Sequence, residues 1–170
     1  MALYFQKTFN QSLEKIGFNS KYHKITIHDL KEVRTLHTSD DIVGRYGEAK
    51  WKIVDLLNSY YQQEFNLHNW LENNENDEVS YFLSEAGSNC LNYSEFKSPA
   101  NFHLWCGEHG FVIGIEQHGE GFPAIEIDKQ KIKENKGAAF NFFRNCQSKI
   151  FFNNPNKANI IFMEYLIKNV

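Results

Sequence analysis

FVIGIEQHGEGF, residues Phe111 to Phe122, sets an apolar, strand-like run directly before a loop that carries Gly119 and Gly121. Two glycines one residue apart let a backbone turn tightly and approach a ligand that any Cβ would exclude. Upstream, in VSYFLSEAGSNCLNYS (79–94), Glu85 and Asn89 stand four residues apart in a helix-like segment, and downstream Gly137 opens another. Together the three stretches point to a nucleotide pocket.

Working outward, Phe102 to Cys106 and Phe111 to Glu116 are strand-like, and Gly107-Glu108-His109-Gly110 between them favours a tight hairpin turn. A second hairpin closes the chain, with Lys149 to Phe152 and Asn159 to Leu166 flanking the turn cluster NNPNKA. Between the hairpins, Pro123 to Asn135 reads as a connector with Ile125 and Ile127 partly buried, and Gly137 to Cys146 as a short helix. Phe140, Phe142, Phe143, Phe151, Phe152 and Phe162 are read as the core between that helix and the sheet. Before the first hairpin, Ser39 or Asp40 is a plausible N-cap for a helix. Its Ile53, Leu56, Leu57, Tyr60 and Tyr61 share one face, and Gly44 and Gly47 weaken its first turns. A second helix spans Glu78 to Tyr93, with Val79, Phe82, Leu83, Ala86, Cys90 and Tyr93 as its apolar stripe. The acidic run Glu72 to Glu78 reads as a solvated loop before it.

The order is helix, helix, hairpin, connector, helix, hairpin. It predicts an α+β chain folded as a two-layer α/β sandwich, with a mostly antiparallel sheet and the helices on one face. Residues 1–39 are expected as an N-terminal extension, with a helical turn or more at Ser12 to Ile16 and a half-buried strand at Lys24 to Ile27. Residues 40–170 are expected as the main domain.

A chain of 170 residues with 42% hydrophobic residues suffices for one domain with a real core. Eighteen Lys and Arg are interspersed among 21 Asp and Glu, so no basic stripe marks a nucleic-acid binder. No apolar run approaches the roughly 20 residues that cross a bilayer, and no secretory signal opens the chain, so a cytoplasmic protein without membrane contact is expected. Cys90, Cys106 and Cys146 form no CxxC and read as reduced, mostly buried thiols. His103, Cys106, His109 and His118 are zinc-ligand types, but residues three apart on a strand point to opposite faces, which argues against a site at His103 and Cys106. His37 and His68 read as surface or loop residues.

The element order and motifs resemble the histidine-kinase-like ATPase domain, the Bergerat fold of sensor kinases, gyrase, Hsp90, mismatch-repair proteins and anti-sigma-factor serine kinases. The similarity covers roughly Asp40 to Leu166 and looks strongest to the small anti-sigma-factor kinases. The resemblance implies Glu85 as catalytic base and Asn89 as the Mg²⁺ ligand. Physics agrees: residues four apart share a helix face, an Asn oxygen suits Mg²⁺, and a nearby carboxylate can deprotonate a nucleophile. In the family an Asp precedes Gly-x-Gly and accepts from the adenine amine. Here Gln117 stands in its place before Gly119 and Gly121, so an amide with donor and acceptor atoms replaces a carboxylate. A second Gly-x-Gly ends the family's lid and starts a phosphate-holding helix. Here it reads Asn135-Lys136-Gly137, with only the second glycine present; Asn tolerates positive φ and Lys136 adds a cation. The connector before it is short for a lid and carries Lys129, Lys131 and Lys133, which attract phosphate or are merely solvated.

Two functions follow as expectations. One is an ATP- and Mg²⁺-binding regulatory domain that phosphorylates or sequesters a protein partner, with homodimerisation as a family habit. The other is a degenerate relative that has lost the nucleotide and acts as a protein–protein interaction module.

Overall fold

The structure is a computed structural model that describes residues 3–27, 46–74, 76–93 and 100–168, the side chains of residues 88–93 excepted. The expected N-cap at Ser39 or Asp40, Gly44 and His37 lie outside the described residues, as do the side chains of Asn89, Cys90 and Tyr93. The elements run β1 (Leu3–Tyr4), α1 (Phe9–Ile16), β2 (Phe18–Ile27), α2 (Gly47–Tyr61), α3 (His68–Leu71), α4 (Glu78–Tyr93), β3 (Ala100–Gly107) and β4 (Gly110–Glu116). They continue with α5 (Ala124–Glu134), α6 (Ala138–Asn145), β5 (Lys149–Phe152) and β6 (Ile160–Leu166). Among the described residues, no helix is long and apolar enough to cross a membrane.

Six strands among the described residues make one open sheet in the order β1-β5-β6-β4-β3-β2, antiparallel except where β1 runs parallel to β5. The two expected hairpins form its middle: Cys106 pairs with Phe111 next to the first turn, and Phe152 with Ile161 next to the second. Among the described residues, 3–27 supply both edges, β1 on one side and the ten-residue β2 on the other.

Alternation along each strand sorts side chains to two faces. Phe111, Ile113 and Ile115 of β4 join Phe102, Leu104 and Met163 under α2, α4 and α6, which contribute Ile53, Leu57, Val79, Phe82, Leu83, Phe140 and Phe143. Each such side chain, removed from water, is worth about 1.5–3 kcal/mol. Val112 points the other way and packs with Ile16, Phe151 and Phe162. Two expectations change here. The helices do not all share one face, because α1 covers the outer one. Phe151 and Phe162 belong to that outer cluster rather than to the core under the last helix, since they alternate with Phe152 and Met163.

Other differences have local causes. The expected connector is the helix α5: its Lys, Glu and Gln are good helix formers, its end is capped by Asn135 at φ 50°, and Arg144 of α6 pairs with its buried Asp128. The buried stripe of α2 is Ala49, Lys50, Ile53, Val54 and Leu57 rather than one reaching Tyr60. Tyr60 lies over β2, where its hydroxyl meets His23 at 2.9 Å. The acidic run is not wholly solvated either. Asp77, just before α4, accepts from the Ser80 N–H at 3.0 Å and from Asn66 and Asn69, and Glu78 accepts from the N–H and hydroxyl of Ser148. Asp77 caps α4, and the two carboxylates tie its start to the α3 segment and to the loop before β5.

Candidate functional site

β4 delivers Glu116 and then Gln117, whose N–H donates to the Asn159 carbonyl at 2.9 Å. The Gln117 side chain is buried, 5% exposed, and its Nε2 has no hydrogen-bond partner. The loop beyond turns through Gly119 at φ 125° and Gly121 at φ 88°. A Cβ on Gly121 would lie 2.9 Å from the Ala158 carbonyl oxygen, so glycine is required there by conformation and by space. Phe122 and Ala158 close this corner as an isolated bridge, exchanging hydrogen bonds of 2.8 Å.

The second glycine motif forms a cavity of about 510 Å³ at the start of α6, lined by Lys131, Asn135, Lys136, Gly137, Asn141 and Arg144 among others. Gly137 has φ 89°, and a Cβ there would meet the Lys131 side chain at 2.8 Å. Asn135 adopts the left-handed conformation expected of it. Lysine side chains, a helix N-terminus and its free N–H groups suit an anionic group. This cavity includes neither Gln117 nor Glu85.

Glu85 sits on α4 facing the other helices. Its Oε1 accepts from the Trp70 indole of α3 at 3.0 Å. Burial raises its pKa, while the Trp70 bond and the Lys50 ammonium act in the opposite sense without cancelling the rise. Lys50 of α2 is fully buried. It passes over Gly87, where an added Cβ would lie 2.8 Å from its Cε. Sequence reasoning missed Lys50, because a lysine between apolar helix positions reads as solvated; a glycine on the facing helix was the available hint.

Also missed was a chain of polar side chains on the outer face. Tyr22 meets His103 Nδ1 at 2.7 Å, and His103 Nε2 meets Glu116 at 3.0 Å. Asn101 donates to the other Glu116 oxygen at 3.1 Å and accepts from Thr26 at 2.8 Å. Burial lowers the pKa of His103 despite the bond to Glu116, and burial raises that of Tyr22. The signal lay in the period-two placement of Tyr22, Lys24 and Thr26 opposite Trp105, His103 and Asn101, legible only once the register is known. Cys106 points into the main core, away from His103. Among the described residues no group of three or more His, Cys, Asp or Glu is placed to hold a metal ion.

Comparison with known proteins finds nothing similar: no family model, no curated protein and no solved structure matches this chain.

Proposed function

We propose that this chain is an ATP- and Mg²⁺-binding regulatory domain of the histidine-kinase-like ATPase type, with the Bergerat arrangement of its sandwich, that phosphorylates or sequesters a regulatory protein. The observation that carries this reading is the buried, unpartnered Nε2 of Gln117 beside two positive-φ glycines. An unsatisfied buried donor costs about 1–3 kcal/mol, and a purine offers what it lacks: a ring-nitrogen acceptor for Nε2 and an exocyclic amine for Oε1. Gly119 and Gly121 would let the loop pass under the base. Lys136 and the N–H groups after Gly137 would hold phosphate. Asn89 would hold Mg²⁺ against the phosphates, where the ion neutralises charge on the transferred group. The raised pKa of Glu85 moves it toward the range of a general base at neutral pH.

A second reading, the degenerate interaction module, draws support from Glu85 being engaged by Trp70 and flanked by Lys50, and from the long edge strand β2, a ready template for strand addition. Calorimetric titration with ATP, ADP and GTP, with and without Mg²⁺, separates the two. The nucleotide reading expects adenine-selective, Mg²⁺-strengthened binding in the micromolar range, about −8 kcal/mol, with the Mg²⁺ effect lost in Asn89→Ala. Silence at millimolar nucleotide transfers the chain to the second reading.

A further inference from the structure

The outer face of the sheet holds a groove that the nucleotide reading does not use. Its volume is about 490 Å³, within the range of small-molecule sites. It lies between the segment that leads into α1 and the β5–β6 turn, and Phe9, Tyr22, His103, Trp105 and Phe162 are among its lining. Three of these rings stack on one another: Trp105 is 5.2 Å from both His103 and Tyr22, at 12° and 23°. Phe9 stands edge-on to Trp105 at 4.6 Å. Together these rings make a packed aromatic wall, which favours a flat aromatic ring alongside it. Among the described residues, the one cation in the lining, Lys7, is committed to Glu164 at 2.7 Å, and none of them leaves a charge in want of a partner.

Gln6, Thr8 and Asn153 also line the groove, but only at Tyr22 is the sense of the hydrogen bond fixed. The Glu116 carboxylate accepts from His103 Nε2–H, which leaves Nδ1 as the acceptor, and Nδ1 takes the Tyr22 hydroxyl proton. Tyr22 therefore turns only lone pairs toward a ligand. We propose that this groove binds an uncharged, planar aromatic compound that carries an N–H or O–H donor, packed against the aromatic wall of Phe9, Tyr22 and Trp105 and donating to the Tyr22 oxygen. The site is independent of the nucleotide pocket.

The test uses two probes of nearly equal size, 2-naphthol and its methyl ether 2-methoxynaphthalene, titrated into the ¹⁵N-labelled chain and followed at the Trp105 indole N–H. The wild type is expected to bind 2-naphthol at least tenfold more tightly than the ether. Tyr22→Phe combined with His103→Phe should bind both equally, because the Tyr22 oxygen and the His103 Nδ1 that its loss would uncover are then both gone. Trp105→Ala, followed instead at the backbone N–H groups of β3, should bind neither; should that variant unfold, the comparison with the double variant stands by itself. Equal affinity of the two probes in the wild type, persistence of the preference in the double variant, or no response of Trp105 to either probe in the wild type at millimolar concentration overturns the proposal.

Discussion

Glu116 and Gln117 leave the end of β4 as neighbours, and their polar atoms meet opposite conditions. The Glu116 carboxylate takes bonds from His103 and Asn101, and Asn101 is itself held by Thr26. Gln117 is more deeply buried, yet its Nε2 is left without a partner. A closed set of hydrogen bonds keeps its own shape and fixes which atoms it shows to a visitor. A buried donor with no acceptor is a standing cost that an external molecule can remove. The first marks a preformed surface, the second an incomplete one.

Paired substitutions make that contrast measurable by urea unfolding. Glu116→Ala strands His103 Nε2–H and the Asn101 amide, and is expected to lower the unfolding free energy by about 1–2 kcal/mol. Gln117→Leu keeps the volume roughly constant and deletes the orphan, so without nucleotide it should raise stability by about 1 kcal/mol while ending adenine binding. A Gln117→Leu protein destabilised as much as Glu116→Ala would mean that the protein already satisfies the amide, and the base seat would be lost as a reading.

A second contrast is between carboxylates, Glu116 in its hydrogen-bonded set and Glu85 among the helices. Burial puts the folded-state pKa of Glu85 above its ordinary 4.5. The folded protein therefore binds more protons there than the unfolded chain does as pH rises past 4.5. The contribution of Glu85 to stability is complete below that pH and is lost as pH climbs through the raised value. Unfolding free energies measured from pH 4 to pH 8 should show this loss, and Glu85→Gln should flatten that part of the profile. A profile that is the same in the variant would mean that Lys50 and Trp70 fully compensate the buried charge.

Much of the scaffold was legible because its signals are local. The β3–β4 turn, the extent of α4 and the β5–β6 hairpin follow from periodicity and turn residues within a dozen positions of one another. The helix α5 was not, since a lysine-rich stretch reads equally as loop or helix until Asp128 finds Arg144 from the next element. Nor was the role of α1, because which sheet face a short amphipathic helix covers depends on where β1 and β2 join the sheet. The glycine motifs announced their conformations correctly at Gly119, Gly121, Asn135 and Gly137. What surrounds Glu85 was hidden, because Lys50 and Trp70 reach it from two other helices.

The smallest expected effect concerns His103, on which the hydrogen-bonding sense of the outer groove depends. Burial lowers its pKa from the ordinary 6.5, more than the bond and charge of Glu116 raise it, and Lys24 on the neighbouring strand lowers it further. The unfolded chain then takes up a proton before the folded one as pH falls below 6.5. Stability from this group is complete above that pH and is lost as pH drops through the folded value. The direct measurement is an NMR titration of the His103 Cε1–H, which should give a midpoint below 6.5 that moves lower still in Glu116→Gln, where the favourable charge is removed. A midpoint above 6.5 would mean that Glu116 outweighs burial. Near neutral pH a substantial part of the protein would then carry Nδ1–H, the Tyr22 hydroxyl would turn outward as a donor, and the groove would select acceptors instead of donors. The titration of one histidine thus decides which half of a hydrogen bond the outer face offers.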